Sequence, residues 1–403
     1  MQENSSSIDK GVTFASVTCC AIFIIATLIS QDGVKAVFDT LFKFFITNFG
    51  WSYLLIVAGF VVFCFGIAFS KYGSLKLGKD NDKPEFSLMA WFSMLFAAGM
   101  GIGLVFWGVA EPVYHFAGPP FAEPKSAQAG LDAMRITFFH WGFHPWACYA
   151  VVAMLLAYSH FRKGNPCQLS WILEPLIGRE RVQGIIGKSI DTLAIVVTLF
   201  GVATSLGLGA MQVSTGLSEL FGIPKGTSVS ITVIVIVTFL YILSAVSGVN
   251  KGIKILSNTN MVLAFGLLVL MLSAGPTVYI LELFIESLGS YLQNIVGMSF
   301  FLDTSDSVAK HAGYEWIGAW TVFYWAWWLT WAPFVGAFIA RISKGRTIKE
   351  FVLGALLAPT LLCAIWFSIM GGSAIQMELT DATVGIADAT FKDVTMAIFV
   401  MFN

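Results

Sequence analysis

The sequence has little charge. Only 12% of its 403 residues are Asp, Glu, Lys or Arg, where a soluble domain carries about 25%. Basic and acidic residues nearly cancel, at 23 and 24, so the chain has no broad positive field that would attract nucleic acid. Hydrophobic residues make up 57%, which leaves too little polar surface for a soluble fold. These deficits exclude disordered chains, coiled coils, secreted disulfide scaffolds and nucleic-acid-binding proteins, and they leave an all-α polytopic membrane protein.

Several sequence motifs are also missing. None of the six cysteines forms a CxxC pair, and five lie in apolar runs, so we interpret them as small hydrophobic residues. No Walker motif occurs, which excludes direct driving by ATP. No cleavable signal peptide is predicted, because the polar residues 1–10 are followed by an apolar run too long for a signal sequence.

Nine segments are long and apolar enough to cross a membrane, which needs about 20 mostly apolar residues. Between the seventh and eighth, Leu281 to Val296 carries Glu282, Glu286 and Gln293, which predicts an amphipathic helix along the interface. After the ninth, the chain is predicted to be a loop up to Met396, where an apolar run begins. The predicted spans lie near 11–30, 51–70, 88–110, 136–160, 190–213, 227–249, 258–281, 315–340 and 349–370.

The distribution of basic residues predicts the orientation. Sixteen of the 23 Lys and Arg residues fall in the N-terminal tail and the even-numbered loops. Cytoplasmic loops carry the excess of Lys and Arg in membrane proteins, so the N-terminus is predicted to be cytoplasmic.

A glycine-rich stretch interrupts the third predicted span at residues 97–103, where Gly99, Gly101 and Gly103 alternate with larger residues. Each glycine weakens a helix by about 1 kcal/mol, which favours local unwinding. Unwound backbone in a membrane binds ions and carboxylates. Close packing of helices through small residues is an equally good interpretation.

Aromatic residues fill the middle of the eighth span rather than its ends. Tyr324, Trp327 and Trp331 share one helix face, and Trp328 lies beside them. Indole faces carry negative potential, so several around one space bind a quaternary ammonium group. Ordinary core packing is the competing interpretation.

The fourth span offers a second aromatic set. Trp141 and Tyr149 share a face, with Trp146 adjacent, and a proline at 145 should kink the helix. His140 and His144 lie four residues apart, so a membrane metalloenzyme is an alternative. The HExxH motif would need Glu at position 141, and no third ligand is evident, which favours hydrogen-bonded histidines and no enzymatic function.

Three stretches resemble the betaine/choline/carnitine transporter family: AAGMGIGLVFWGVAEP at 97–112, HWGFHPWACYAVV at 140–152 and WTVFYWAWWLTWAPFVGAFIARISKGRT at 320–347. The resemblance covers essentially the whole chain. It implies a leucine-transporter type of inverted-repeat fold, with nine of an expected twelve spans present and the chain truncated before the tenth. The implied divisions are an N-terminal tail and two extra helices (1–87), a first five-helix repeat (88–281), the interfacial helix and an external loop (282–314), and an incomplete second repeat (315–403).

The resemblance also implies a site and a mechanism. The implied fold works by alternating access in the bacterial inner membrane, as a homotrimer with segment 281–296 at the subunit contacts, and it needs no cofactor beyond a coupling sodium ion. The substrate's carboxylate would approach the backbone around Gly99, Met100, Gly101 and Gly103. The substrate cage would comprise Trp141, Trp146, Tyr149, Trp327, Trp328 and Trp331, with Tyr324 beside them.

Two sodium sites follow from the same resemblance. One would use the carbonyls of Ala97 and Met100 with hydroxyls from a tenth span. The other would use Thr198 and Phe334, although Val202 stands where the family pattern has a second threonine.

Position 103 bears on substrate choice. Choline-transporting relatives tend to carry Asp there, whereas Gly103 leaves the site neutral, which suits a zwitterion such as glycine betaine. The sequence therefore predicts sodium-coupled import of a betaine-type osmolyte. Transport of choline or carnitine, or a transport-dead fragment, are the alternatives.

Overall fold

The computed structural model describes residues 9–99, 101–246 and 254–403. Within these ranges the chain is almost entirely helical and contains no β-strand, beyond one isolated antiparallel bridge between Lys76 and Thr347. The prediction of an all-α membrane protein is confirmed.

The described ranges contain seventeen α-helices, joined by short 3-10 and π-helical turns. In chain order they are α1 (Lys10–Ile29), α2 (Gln31–Phe69), α3 (Leu88–Gly99), α4 (Ile102–Ala117), α5 (Ala127–Trp141), α6 (Phe143–Ala157), α7 (Glu174–Ile177), α8 (Arg179–Gln183), α9 (Ile185–Phe221), α10 (Thr227–Val246), α11 (Lys254–Ala274), α12 (Thr277–Ser299), α13 (Ser307–Ala312), α14 (Phe323–Ile342), α15 (Ile348–Thr380), α16 (Ile386–Lys392) and α17 (Ala397–Phe402).

Within the described residues, six helices are long and apolar enough to cross a membrane, or seven if the bent pair Asn258–Ala274 and Thr277–Ser299 counts as one span. The sequence predicts nine. The difference lies in the third and fourth predicted spans, because each is divided into two shorter helices: α3 and α4, and α5 and α6.

The break in the fourth predicted span falls at Gly142, three residues before the proline. α5 ends at Trp141 and α6 begins at Phe143, and a Cβ atom at Gly142 would overlap the carbonyl oxygen of Phe138. Pro145 is the third residue of α6, and it has no N–H to donate to the carbonyl of Trp141, the last residue of α5. The interruption therefore lies where the predicted proline kink would disrupt the helix.

The interfacial segment is a helix, as predicted, and it begins earlier. α12 starts at Thr277 and makes an angle of 110° with α11. Its Leu283, Ser287 and Tyr291 are buried, and the Tyr291 hydroxyl accepts a hydrogen bond from the Phe143 backbone N–H at 3.1 Å. One face of α12 is thereby fixed within the protein.

Residues after 370 are more ordered than the sequence predicts. α15 continues to Thr380, and α16 and α17 follow. The Thr395 hydroxyl lies 2.6 Å from that of Thr215, and Lys225 pairs with Asp393 at 2.8 Å. The predicted loop up to Met396 is wrong, since tertiary hydrogen bonds hold these short helices.

The chain forms two compact units. The first comprises residues 1–91, 147–202 and 318–353, and the second comprises 92–146, 203–317 and 354–403. Each unit gathers three stretches of sequence.

In the first unit, the turn after α14 is tied to the segment before α3. The Leu77 N–H donates to the Arg346 carbonyl at 2.8 Å, and the Gly345 N–H donates to the Leu77 carbonyl at 2.9 Å. The Arg346 guanidinium lies over the Trp91 ring, 4.1 Å from its centroid. Arg341 binds Glu85 through two hydrogen bonds of 2.6 and 3.0 Å, which lower the pKa of Glu85 below its ordinary value.

Gly345 provides a test of this turn. Its φ is +82°, and a Cβ atom would overlap the carbonyl oxygen of Lys83. We expect Gly345→Ala to lower the free energy of unfolding by about 2–4 kcal/mol, because left-handed backbone strains alanine and the overlapped atom belongs to the backbone. Thermal unfolding in detergent measures the loss.

The matched control is Gly313→Ala. Gly313 has φ +79° and no atom within 4 Å of the added Cβ. The free energy of unfolding should therefore fall by only about 1 kcal/mol in Gly313→Ala. Equal losses in the two variants would contradict a close approach at Gly345.

Candidate functional site

The aromatic residues of α14 form a buried stack in the first unit. The Trp327 and Trp328 rings are 5.0 Å apart at an interplanar angle of 11°. Tyr324 stacks on Trp328 at 5.7 Å and 21°, and Tyr149 from α6 meets Trp328 edge-on at 6.4 Å. The four side chains are at most 8% exposed. Four predicted site residues thus lie in one cluster, which we call the α14 aromatic stack.

Helical spacing explains the stack. Tyr324, Trp327 and Trp328 project from adjacent turns of α14, where residues three and four apart are neighbours. Trp331 continues this face, and its ring lies 6.0 Å from that of Phe334.

Trp141 and Trp146, the remaining predicted cage residues, belong to the second unit and are each 5% exposed. The Trp141 indole N–H donates to Glu111 Oε2 at 2.7 Å. Its ring lies 5.2 Å from that of Phe367. A hydrogen bond and a ring contact therefore fix the position of Trp141.

Glu111 is a candidate functional residue that the sequence analysis did not single out. The residue lies inside α4, which continues to Ala117, and its side chain is fully buried. Its Oε1 lies 2.7 Å from His140 Nδ1. The signal was present in the sequence: Glu111 and His115 are four residues apart in an apolar helix, and an ionisable residue inside a membrane helix indicates function.

A cluster of possible metal ligands centres on the same carboxylate. Ligand atoms of Glu111, His115 and His140 lie within 4.8 Å of one another, and one carboxylate with two imidazoles is a donor set that suits Zn²⁺. Trp316 packs on both imidazoles, 5.5 Å from the His115 ring and 6.2 Å from the His140 ring. Both carboxylate oxygens have N–H groups at 2.7 Å, which is the geometry of a hydrogen-bond network.

His144 does not join this cluster. Its Nε2 lies 2.8 Å from the Ser299 hydroxyl on α12, and its ring packs against Phe139 at 4.5 Å. The pairing of His140 with His144, on which the metalloenzyme alternative depends, is therefore absent. The expectation of hydrogen-bonded histidines is confirmed for both.

The glycine-rich stretch does interrupt its helix. α3 ends at Gly99, and α4 begins at Ile102 with Gly101 as its N-cap. Ala97 lies in α3 and Gly103 in α4, whereas Met100 lies outside the described residues. The structure therefore contains the local interruption of the helix that the glycines favour.

The residues predicted for the second sodium site share one cavity in the first unit. Thr198, Val202 and Phe334 line a space of about 570 Å³, together with the carboxyl-bearing side chains of Asp9 and Asp191. The arrangement brings two threonine hydroxyls, those of Thr13 and Thr198, and two carboxylates to the wall of an otherwise largely apolar cavity.

Comparison with known proteins places these features in context. Residues 11–403 match the model of the betaine/carnitine/choline transporter family, BCCT. The chain is 52% identical over 370 residues to the glycine betaine transporter OpuD of Bacillus subtilis, an alignment that covers 92% of this chain and 71% of the relative. It is 46% identical over 392 residues to a probable glycine betaine transporter of Desulfitobacterium hafniense, covering 97% and 77% respectively. A relative from Virgibacillus pantothenticus, an ectoine/hydroxyectoine transporter, is 41% identical over 400 residues, covering 98% and 77%.

Two glycines on α9 test the packing of Trp331. A Cβ atom at Gly201 would lie 3.2 Å from both Trp331 Nε1 and Thr330 Oγ1, whereas one at Gly207 would meet nothing within 4 Å. Gly207→Ala should stabilise the protein by up to about 1 kcal/mol through helix propensity. Gly201→Ala should lose that gain and shift the tryptophan emission, because the indole must move.

Thermal unfolding and fluorescence spectra of the two variants measure these effects. The prediction fails if Gly201→Ala raises the free energy of unfolding as much as Gly207→Ala does and leaves the tryptophan emission unchanged. That result would show that Trp331 does not resist the added methyl group.

Proposed function

Because the chain belongs to the betaine/carnitine/choline transporter family, we propose that it imports a betaine-type osmolyte across the bacterial inner membrane. The observation that carries this proposal is the α14 aromatic stack, which gathers Tyr149, Tyr324, Trp327 and Trp328. The family and the relatives that match are named as transporters, in agreement with the prediction that the chain is not an enzyme.

The chemistry of an onium group explains the preference for aromatic rings. A quaternary ammonium group has no N–H to donate, so hydrogen bonds cannot hold it, whereas the negative face of an indole attracts it. The proposed cage comprises Trp141, Trp146, Tyr149, Trp327, Trp328 and Trp331. The substrate's carboxylate would be bound by backbone N–H groups at the interruption between α3 and α4, where Gly99, Gly101 and Gly103 lie.

A zwitterion fits this arrangement better than choline does. Gly103 adds no negative charge, so a substrate that supplies its own carboxylate leaves the site neutral. Glycine betaine is therefore the proposed substrate. The similarity to an ectoine/hydroxyectoine transporter makes ectoine, another zwitterion, the second candidate.

Sodium is the proposed coupling ion. Thr198 and Phe334 line one cavity. Lys188 pairs with Asp9 at 3.2 Å, so the carboxylate of Asp191 would be the one that raises the local cation concentration. A first sodium site would use the carbonyls of Ala97 and Met100. Binding of sodium would shift the population toward the state that binds substrate, and alternating access would follow by rocking of the inverted repeats.

The proposed assembly is a homotrimer with a cytoplasmic N-terminus. Support for subunit contacts comes from α12, because one face of this helix packs within the chain while the opposite face presents an exposed apolar stripe. The stripe consists of Val278, Leu281, Ile285, Leu292 and Val296.

Binding tests the substrate proposal directly. We expect glycine betaine to produce a saturable change in tryptophan emission of the purified chain in sodium, and a much weaker change when potassium replaces sodium. Ectoine, choline and carnitine are titrated in parallel. An equal response in both salts would contradict sodium coupling, and no response to any of the four compounds would contradict the substrate class.

The cavity that holds Thr198 yields a separate prediction. Val202→Thr adds a hydroxyl one turn from Thr198 with little change in volume, so it should lower the sodium concentration for half-maximal betaine binding by about threefold or more. Thr198→Val should raise that concentration.

The matched control is Thr232→Val on α10, where the hydroxyl donates to the Ser228 carbonyl and lines no part of this cavity. Unchanged sodium dependence in both cavity variants would place the coupling ion elsewhere.

A further inference from the structure

Glu111 is bound to a predicted cage residue by a direct hydrogen bond. Its Oε2 accepts from the Trp141 indole N–H at 2.7 Å, and its Oε1 lies 2.7 Å from His140 Nδ1. All three side chains are at most 5% exposed. An ionised carboxylate can only accept hydrogen bonds, so Nδ1 of His140 carries a proton when Glu111 is charged.

The two donors come from neighbouring residues at the end of α5. His140 and Trp141 precede Gly142, where the helix ends. A carboxylate that holds both donors therefore fixes the last turn of α5 as well as the orientation of the indole. Phe367 limits the ring from another side at 5.2 Å.

The hydrogen bond also changes the electronic character of the indole. An N–H that donates to a carboxylate forms a charge-assisted bond, roughly twice as strong as a neutral one. The negative oxygen polarises the N–H bond and pushes electron density into the ring, which makes the ring face more negative. A more negative face attracts an onium group more strongly.

We propose that Glu111 is a positioning residue for substrate recognition, whose carboxylate orients and polarises the Trp141 indole while His140 holds the carboxylate in place. This inference rests on the proposed function, since it assigns Trp141 to the binding of the onium group. Glu111 itself need not touch the substrate.

Glu111→Gln is the principal test. The amide keeps the size of the side chain and one acceptor oxygen but removes the charge, so we expect the dissociation constant for glycine betaine to rise about five- to tenfold. Glu111→Asp keeps the charge but is too short to reach both donors, and it should weaken binding as well. Either variant suffices if the other does not fold.

The control is Glu378→Gln in the same unit. Glu378 is 4% exposed and accepts the Ala387 backbone N–H at 2.9 Å, so it reports the cost of neutralising a buried carboxylate away from Trp141. Betaine affinity should not change in this variant. If Glu111→Gln and Glu378→Gln weaken betaine binding to a similar extent, the effect of Glu111 is a general effect on the structure, and the proposal is overturned.

A double-mutant cycle separates positioning from stability. Trp141→Phe has no indole N–H, so adding Glu111→Gln to it should cause no further loss of affinity. Independent, multiplicative losses would show that Glu111 acts through another route and would overturn the inference.

A readout without substrate distinguishes this inference from the proposed function. The indole N–H vibration of Trp141, obtained as the ultraviolet resonance Raman difference between the wild type and Trp141→Phe, should shift toward a weaker hydrogen bond in Glu111→Gln. If the wild type binds no onium compound, the proposed function fails and the assignment of Trp141 to recognition fails with it. A shifted band would still establish the hydrogen bond, and an unchanged band would refute it.

Discussion

Backbone hydrogen bonding in the absence of water is the constraint on which this structure depends. In hydrocarbon, every N–H and C=O group must find a partner within the protein, which makes helices the default and confines any interruption to protein-facing positions. The two interruptions described above fall at Gly142 and between Gly99 and Ile102. The first of them follows an indole that donates to a buried carboxylate, since Trp141 is the last residue of α5. The second is the position at which we propose that the substrate's carboxylate is bound.

The same constraint governs the side chains. A buried carboxylate in a membrane helix is tolerated only when its charge is met by donors, and Glu111 has His140 and Trp141 at 2.7 Å. His115 Nε2 lies 3.6 Å from Oε1 of the same residue, so the carboxylate is surrounded by nitrogen-bearing side chains. The Trp141 ring donates its N–H to Glu111, so the network also fixes the orientation of this ring. Polar residues are few in this chain, so the surroundings of each one are informative about function.

The sequence predicted the helical class, the family and most spans because these depend on composition, on runs of apolar residues and on motifs. It predicted the disruption of the fourth span from Pro145 but not the close approach of the Tyr291 hydroxyl to Gly142, which is a tertiary property. It underestimated the order of residues after 370, since contacts such as that of Thr215 with Thr395 join distant segments. An acidic residue inside an apolar helix is visible in the sequence, but the two donors of Glu111 come from another helix, and local pattern cannot pair them with it.

The charge of Glu111 is compatible with recognition of a neutral zwitterion. A free carboxylate beside the substrate would favour a net cation such as choline. Here both oxygens have N–H groups within hydrogen-bonding distance, so the negative charge is spread through an imidazole and an indole. The onium end of a zwitterion would meet an electron-rich ring face, while Gly103 leaves the neighbouring backbone free of an acidic side chain that would repel the substrate's carboxylate. In the proposed site, the ring face would therefore meet the onium group of a dipolar ligand, and the backbone around Gly103 would meet its carboxylate.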